Sequence, residues 1–274
     1  MRPDIRLVVS DLDGTLLNPE GVITARTAKA VSALRDRGVA FAACTGRFPE
    51  NAAAALAEGG LSCPVISLNG AVVELAPPQG RIFEQLMDPR AAMLVFQTLE
   101  QLGEGYHIFA PGKVVSRRQT HLHHSELGRE KGHPLTRNVR YSYGEEACRQ
   151  AAGEPLYKFY VYFTPQSQPP EAIRAALGGI AGAALTQSGE SNVELISDKA
   201  DKGTGLHILA ERLGVAPGHI MALGDQLNDL PMLRYAGLGV AMGNAPDTVK
   251  EAASFVTGSN REDGAAAAIE AFCL

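Results

Sequence analysis

Short apolar runs recur between residues 8 and 68, and a helix-length stretch separates each from the next. Val8-Val9-Ser10, Val39 to Cys44 and Pro64 to Leu68 read as buried strands that stop abruptly in polar or small residues. Between the first two, Thr24 is placed to cap a helix. Ala28, Val31 and Leu34 recur at helical spacing, and Gly38 is a natural stop. A second helix is expected from Pro49 to Glu58. This strand–helix alternation predicts an α/β fold with a doubly wound, Rossmann-like parallel sheet. In such a sheet the carboxyl ends of the strands share one edge, which is where ligands bind.

The strand ends are therefore the places to look for chemistry. The first apolar run ends in Asp11-Leu12-Asp13-Gly14-Thr15. A plain Asp-Gly turn would explain part of it. It would not explain a second acid, Asp11, two residues earlier on the same side of an extended chain. Further along, the strand ends are Thr45-Gly46-Arg47, Asn69-Gly70, Gly224-Asp225 and Gly243-Asn244. Asp11, Asp13 and Asp225 brought to one edge would repel one another unless a hard cation sat among them. Oxygen-only ligands beside a phosphate suit Mg²⁺, and the lack of His or Cys at these positions argues against Zn²⁺.

After residue 70 the alternation breaks. Ala71 to Leu75 and Arg81 to Glu84 flank Pro77-Pro78-Gln79-Gly80 as a hairpin, and Asp88-Pro89 caps a helix to about Leu102. Short strands and a few helices follow, with Leu156 to Thr164 the clearest strand and a helix from Pro169-Pro170 to about Gly178. Val193 to Ile196 resembles a return to the parallel sheet, followed by a helix near Lys202. Strands at His219–Leu223, Leu238–Met242 and Ser254–Thr257 and helices at Leu227–Tyr235, Pro246–Ala253 and Asp263–Phe272 complete the chain. The expected division is a core of residues 1–85 and 189–274 with an inserted α+β domain, 86–188.

The 274 residues carry 45% hydrophobic side chains and a net charge of −5, which points away from nucleic-acid and polybasic membrane binders. Cys44, Cys63, Cys148 and Cys273 stand apart, as free thiols of a reducing compartment would. With no leader-like start and no spanning apolar run, the expectation is a cytoplasmic protein with no membrane partner. No heptad pattern announces an interface, so monomer and homodimer stay open.

Asp11-Leu-Asp-Gly-Thr15, Thr45-Gly-Arg47, Lys202 before a helix and Gly224-Asp225-Gln-Leu-Asn228-Asp229 occur in that order. Together they resemble the four motifs of the haloacid dehalogenase-like superfamily of phosphotransferases. Asn69-Gly70, Asp201-Lys202-Gly203 and the tail Asn260 to Gly264 are most similar to its Cof-type, sugar-phosphatase-like branch. The long interval between Arg47 and Lys202 corresponds to a class II, subtype B cap. The resemblance implies a two-step phosphoryl transfer, with Asp11 as nucleophile and Asp13 as acid and then base. Mg²⁺ would be held by Asp11, the Asp13 main-chain carbonyl and Asp225. Thr45, Gly46, Arg47, Asn69, Lys202 and Asn228 would contact phosphate or substrate, and Asn228 and Asp229 would support Lys202 and the metal's waters. The implied function is a phosphatase of a small phosphorylated metabolite, with the cap closing over the substrate. A phosphomutase and a non-catalytic phosphometabolite-binding regulator are the alternatives.

Each role has a plainer counterpart. Lys202 would ordinarily be a solvated lysine in a first helical turn, and Asp229 a capping acid. Arg47 either meets substrate or pairs with an acid, and Asn69 either shapes its loop or contacts ligand. The inserted segment holds a basic stretch, Lys113, Arg117, Arg118, Arg129, Lys131, Arg137 and Arg140, against Glu126 and Glu130. His121, His123, His124 and His133 fall within it. A solvated surface, an attractor for anionic substrate and a metal site are its three readings.

Overall fold

The computed structural model describes residues 3–77, 79–118 and 139–274. The chain divides into two compact units, Met1–Glu84 with Asp201–Leu274, and Gln85–Ala200.

In the first unit β1 (Leu7–Ser10), β2 (Ala40–Cys44) and β3 (Val65–Ser67) are joined by α1 (Ala25–Asp36) and α2 (Pro49–Glu58). The Thr24 side chain accepts from the Thr27 N–H and so starts α1. A hairpin, β4 (Val72–Leu75) and β5 (Gly80–Glu84), follows.

The second unit contains α3 (Pro89–Leu102), β6 (Gly105–Ala110), β7 (Lys113–Ser116), β8 (Arg140–Tyr143), α4 (Glu145–Ala152), β9 (Lys158–Tyr162), α5 (Pro170–Leu177), β10 (Ala183–Thr186) and β11 (Asn192–Ser197). Its sheet has the order β10-β11-β9-β6-β7-β8, antiparallel except for β7 with β8. Phe159, Val161, Val193 and Leu195 bury one face of that sheet against Val95, Leu99, Cys148 and Ile173 of the helices. Of the basic stretch, residues 119–138 with all four histidines lie outside the described residues.

The chain then re-enters the first unit through α6 (Lys202–Leu213), β12 (Ile220–Gly224), α7 (Leu230–Tyr235), β13 (Leu238–Ala241), α8 (Asp247–Ala252), β14 (Phe255–Val256) and α9 (Gly264–Phe272). The order β14-β13-β12-β1-β2-β3-β4-β5 is parallel from β14 to β3, and the hairpin extends it antiparallel. Side chains of β1 alternate across the sheet. Val8 packs with Val31, Leu34, Leu56 and Ile269, whereas Leu7 and Val9 pack with Leu206, Leu209, Met232 and Val249. Helices thus cover both faces, as the doubly wound reading requires. From β1 the chain winds outward to β2 and β3; from β12, the other neighbour of β1, it winds the opposite way to β13 and β14. The switch point lies between β1 and β12, at the ends that carry Asp11 and Asp225.

The boundary near residue 189 is corrected. Val193 to Ile196 does not rejoin the parallel sheet: β11 pairs antiparallel with β9 and β10, and the second unit runs to Ala200. All six residues of β11 are buried, which imitates a parallel core strand. Burial of Glu194 is possible because Lys158 of β9 meets it at 2.5 Å, a long-range partner that local pattern does not reveal.

Candidate active site

The turn after β1 is a single wide coil, Leu12–Leu16, closed by the Leu16 N–H on the Asp11 carbonyl (3.2 Å) and the Leu17 N–H on the Leu12 carbonyl (2.8 Å). It depends on Gly14. That residue has φ +79°, and a Cβ there would stand 2.3 Å from Asp225 Oδ2. Only a glycine lets the turn approach the neighbouring strand end so closely.

The Asp11 N–H donates to the Leu223 carbonyl at 2.9 Å, tying the end of β1 to β12. Its carboxylate accepts from Lys202 Nζ at 2.6 Å, and the same ammonium donates to Asp229 Oδ1 at 2.5 Å. All three side chains are buried. Lys202 is therefore not a solvated lysine. It starts α6, which Asp201 caps through the Thr204 N–H at 2.6 Å. Gly70 (φ +93°) lets the loop after β3 lie against this helix start, since a Cβ there would meet the Asp201 carbonyl oxygen at 1.9 Å.

Asp229 does two jobs at once. While Oδ1 takes the ammonium, Oδ2 accepts the N–H groups of Asp225 (2.8 Å) and Gln226 (2.9 Å). Asp225 is oriented by Thr15 Oγ1 on Oδ1 (2.9 Å) and by Gln226 and Asn244 amides on Oδ2 (both 3.3 Å). The sequence reading gave no role to Thr15, Gln226 or Asn244. Their place at strand ends was the available signal.

Asp13 lies apart from this buried group. Its carboxylate is exposed and takes Arg47 through both oxygens, Nε at 2.8 Å and a terminal nitrogen at 2.6 Å. Thr45 is buried and its Oγ1 accepts the Arg47 N–H at 3.2 Å, with Gly46 between them. Asn69, in left-handed backbone (φ +56°), receives Asn228 Nδ2 on its Oδ1 at 3.1 Å. Asn228 Oδ1 is a buried acceptor with no donor among the described residues.

One buried ammonium faces three buried carboxylates, Asp11, Asp225 and Asp229, whose nearest oxygens lie within 4.8 Å of one another. Burial first, then the charges of Asp229, Asp225 and Asp13 against the opposing Lys202, holds the Asp11 carboxyl well above its ordinary value. Burial and Asp229 push Asp225 to about 7, against the bonds from Thr15 and Gln226. Burial would lower the Lys202 pKa, but Asp11 and Asp229 outweigh it and raise it. Asp229 spends its oxygens on the Lys202 ammonium and two backbone N–H groups, whereas Asp11 has one oxygen outside its bond to Lys202 and Asp225 is bonded only by neutral donors, which leaves these two carboxylates to take a cation. An all-oxygen, over-negative pocket fits a hard divalent ion such as Mg²⁺.

Comparison with known proteins agrees with this geometry. Residues 8–269 match the family described as haloacid dehalogenase-like hydrolase. The phosphatase YwpJ of Bacillus subtilis is 31% identical, over 96% of this chain and 98% of its own. The 5-amino-6-(5-phospho-D-ribitylamino)uracil phosphatase YitU of the same organism is 30% identical over 95% and 94%. A solved haloacid dehalogenase-like hydrolase from B. subtilis superimposes with a TM-score of 0.85 at 26% identity, covering 97% of this chain and 99% of that one. With four ordered motifs meeting at one switch point and a family match across nearly the whole sequence, the chain belongs to the haloacid dehalogenase-like hydrolases.

Proposed function

We propose that this protein is a Mg²⁺-dependent phosphatase of small phosphorylated metabolites, sugar phosphates or phosphorylated cofactors, acting through an aspartyl-phosphate on Asp11. The observation that carries the reading is Asp11 at the sheet's switch point, fixed by buried Lys202 beside Asp225. The relatives named as phosphatases of a ribityl phosphate support a small phosphorylated polyol or sugar as the substrate class.

In this reading an Asp11 carboxylate oxygen attacks phosphorus while the bond to the leaving oxygen breaks, and Asp13 gives that oxygen its proton. Water then attacks the phosphorus of the aspartyl-phosphate and Asp13 takes the water's proton. The P–O bond to Asp11 breaks, releasing inorganic phosphate. Lys202, kept charged by its two carboxylates, and Thr45 bind the equatorial oxygens, helped by backbone N–H groups near Gly14 and Gly46. Asn69 and Asn228 line the phosphate side, and Arg47 orients Asp13. Mg²⁺, held by Asp11, the Asp13 carbonyl and Asp225, would offset charge on the transferring group. Asp229 fixes Lys202 and the Asp225 backbone.

The test is phosphate release from a panel of sugar, polyol and cofactor phosphates, with and without Mg²⁺, using Asp11→Asn as control. Mg²⁺-dependent release that the substitution abolishes supports the proposal. Release unaffected by Asp11→Asn, or none from any compound, overturns it. Isomerised substrate without net release would identify a mutase.

A further inference from the structure

The strand end Gly243-Asn244 is singled out by the sequence but has no part in the chemistry above. Asn244 is exposed, and an asparagine after a strand ordinarily bonds its own turn. This one does not. Its Nδ2 donates to the Gly14 carbonyl at 2.9 Å and to Asp225 Oδ2 at 3.3 Å, and its Oδ1 accepts the Asn260 N–H at 2.9 Å. The partners are between 16 and 230 positions away in the chain.

The amide has only one workable orientation. A backbone N–H fills the oxygen side, so the reverse placement would set two donors face to face at Asn260 and two acceptors face to face at Gly14 and Asp225. The N–H that selects this orientation is itself anchored. Asn260 Nδ2 donates to the Leu17 carbonyl at 2.9 Å, and a reciprocal Ser259–Glu262 cap holds the turn. Thr24 Oγ1 grips Asp263 Oδ1 at 2.7 Å.

We propose that Asn244 is a positioning residue, oriented by the Asn260 turn, that sets the Asp225 carboxylate against the Asp11–Thr15 coil in the geometry a divalent cation needs. This rests on the metal-dependent reading given above. Without Asn244, Oδ2 of Asp225 keeps only the Gln226 amide at 3.3 Å, and Gly14 loses the bond from its carbonyl to the loop after β13. Groups of this kind, which orient a ligand without touching the ion, change metal affinity 10–100-fold.

The experiment is calorimetric titration of Mg²⁺ into metal-free wild-type protein, Asn244→Ala and Asn244→Leu, alongside the metal-free Tm of each. Leucine keeps the bulk of the side chain and removes both donors. The expected result is a Kd for Mg²⁺ raised 10–100-fold in both variants. The metal-free Tm should stay within about 3 °C, as for other exposed substitutions. The Mg²⁺ needed for half-maximal activity should rise by the same factor, with kcat recovered at saturating Mg²⁺. A Kd within twofold of wild type overturns the inference, whatever happens to Tm. Wild-type protein that takes up no Mg²⁺ overturns the metal reading and this inference together. Normal wild-type binding with unchanged variants overturns this inference alone.

Discussion

Asp229→Asn distinguishes the two roles the sequence allowed for that residue, because they differ in energy. If Asp229 only capped the helical turn after β12, the substitution would cost no more than about 1 kcal/mol, since asparagine caps as well as aspartate and only the charge on the helix dipole is lost. The structure gives it more to do. Oδ1 takes the buried Lys202 ammonium at 2.5 Å and Oδ2 takes two backbone N–H groups at 2.8 and 2.9 Å, with the side chain wholly buried. An asparagine has one acceptor oxygen. Turned toward Lys202, it presents its NH₂ to two N–H donors. Turned the other way, it presents the NH₂ to an ammonium. Both orientations bury donor against donor, and breaking a buried pair costs about 3–5 kcal/mol.

At about 2–4 °C per kcal/mol for a unit of this size, the expected loss in Tm is about 6–20 °C, against about 2–4 °C for a cap alone. The assay is thermal unfolding of the metal-free protein, followed by circular dichroism. Hydrolysis of the best substrate should fall as well, because Lys202 loses one of the two carboxylates that direct it. A Tm loss of no more than about 4 °C would refute the reasoning and return Asp229 to the role of a helix cap.

Other expectations follow from the same geometry. The carboxyls of Asp225 (about 7) and Asp11 are raised above their unfolded value of about 4. The folded protein therefore holds protons that the unfolded chain has released, so metal-free stability is highest below pH 4 for these groups and declines as pH rises through 7. Tm measured in chelator should fall between pH 5 and pH 7.5, and Mg²⁺ should flatten the slope; a rising Tm in chelator would contradict the assignment. Gly14→Ala must place a Cβ 2.3 Å from Asp225 Oδ2 at φ +79°. It should lower kcat/KM at least tenfold by displacing that carboxylate, and unchanged kinetics would exclude the close approach. In the second unit, Lys158→Met removes the ammonium that meets buried Glu194, whose other oxygen takes Ser188 Oγ, with an expected cost of about 3–5 kcal/mol. Lys158→Met with Glu194→Leu should recover most of it, and a double variant no better than the single would contradict a charge-pairing account in a thermal melt.

The parallel half of the fold was legible because its signals are local. Thr24 caps α1 through the Thr27 N–H, Asp88 caps α3 through two N–H groups, and the runs at β1 and β2 are apolar on both faces. Asp11 and Asp225 were readable as candidate site residues because they terminate such runs. What escaped depends on partners distant in sequence. Glu194 looks like a lapse in a core strand until Lys158 is beside it. Asp229 looks like a capping acid until Lys202, separated from it by the whole of α6 and β12, is seen on its other oxygen. Thr15, Gln226 and Asn244 stand at strand ends, but their role cannot be read there, and only their common target, Asp225, makes them a set.

That common target explains why so much neutral hydrogen bonding surrounds so few charges. Three carboxylates and one ammonium, all buried, would push the site open if their positions depended on mutual attraction alone. Each of these residues is also held by neutral groups of the protein itself. Asp11 is held through its backbone to β12, Asp229 by two N–H groups, and Asp225 by a hydroxyl and two amides. The pinning keeps buried negative charge concentrated at the switch point, where burial first and then the neighbouring carboxylates raise the pKa of Asp11 and Asp225, which by linkage makes the metal-free fold less stable at neutral pH than in acid. A cation that binds only the folded state offsets that penalty by RT ln(1 + c/Kd) at free cation concentration c. The cost of gathering these charges without a cation and the affinity for one therefore have the same origin. Asp225→Asn, which removes one of these charges, should weaken Mg²⁺ binding and flatten the fall of the metal-free Tm between pH 5 and pH 7.5.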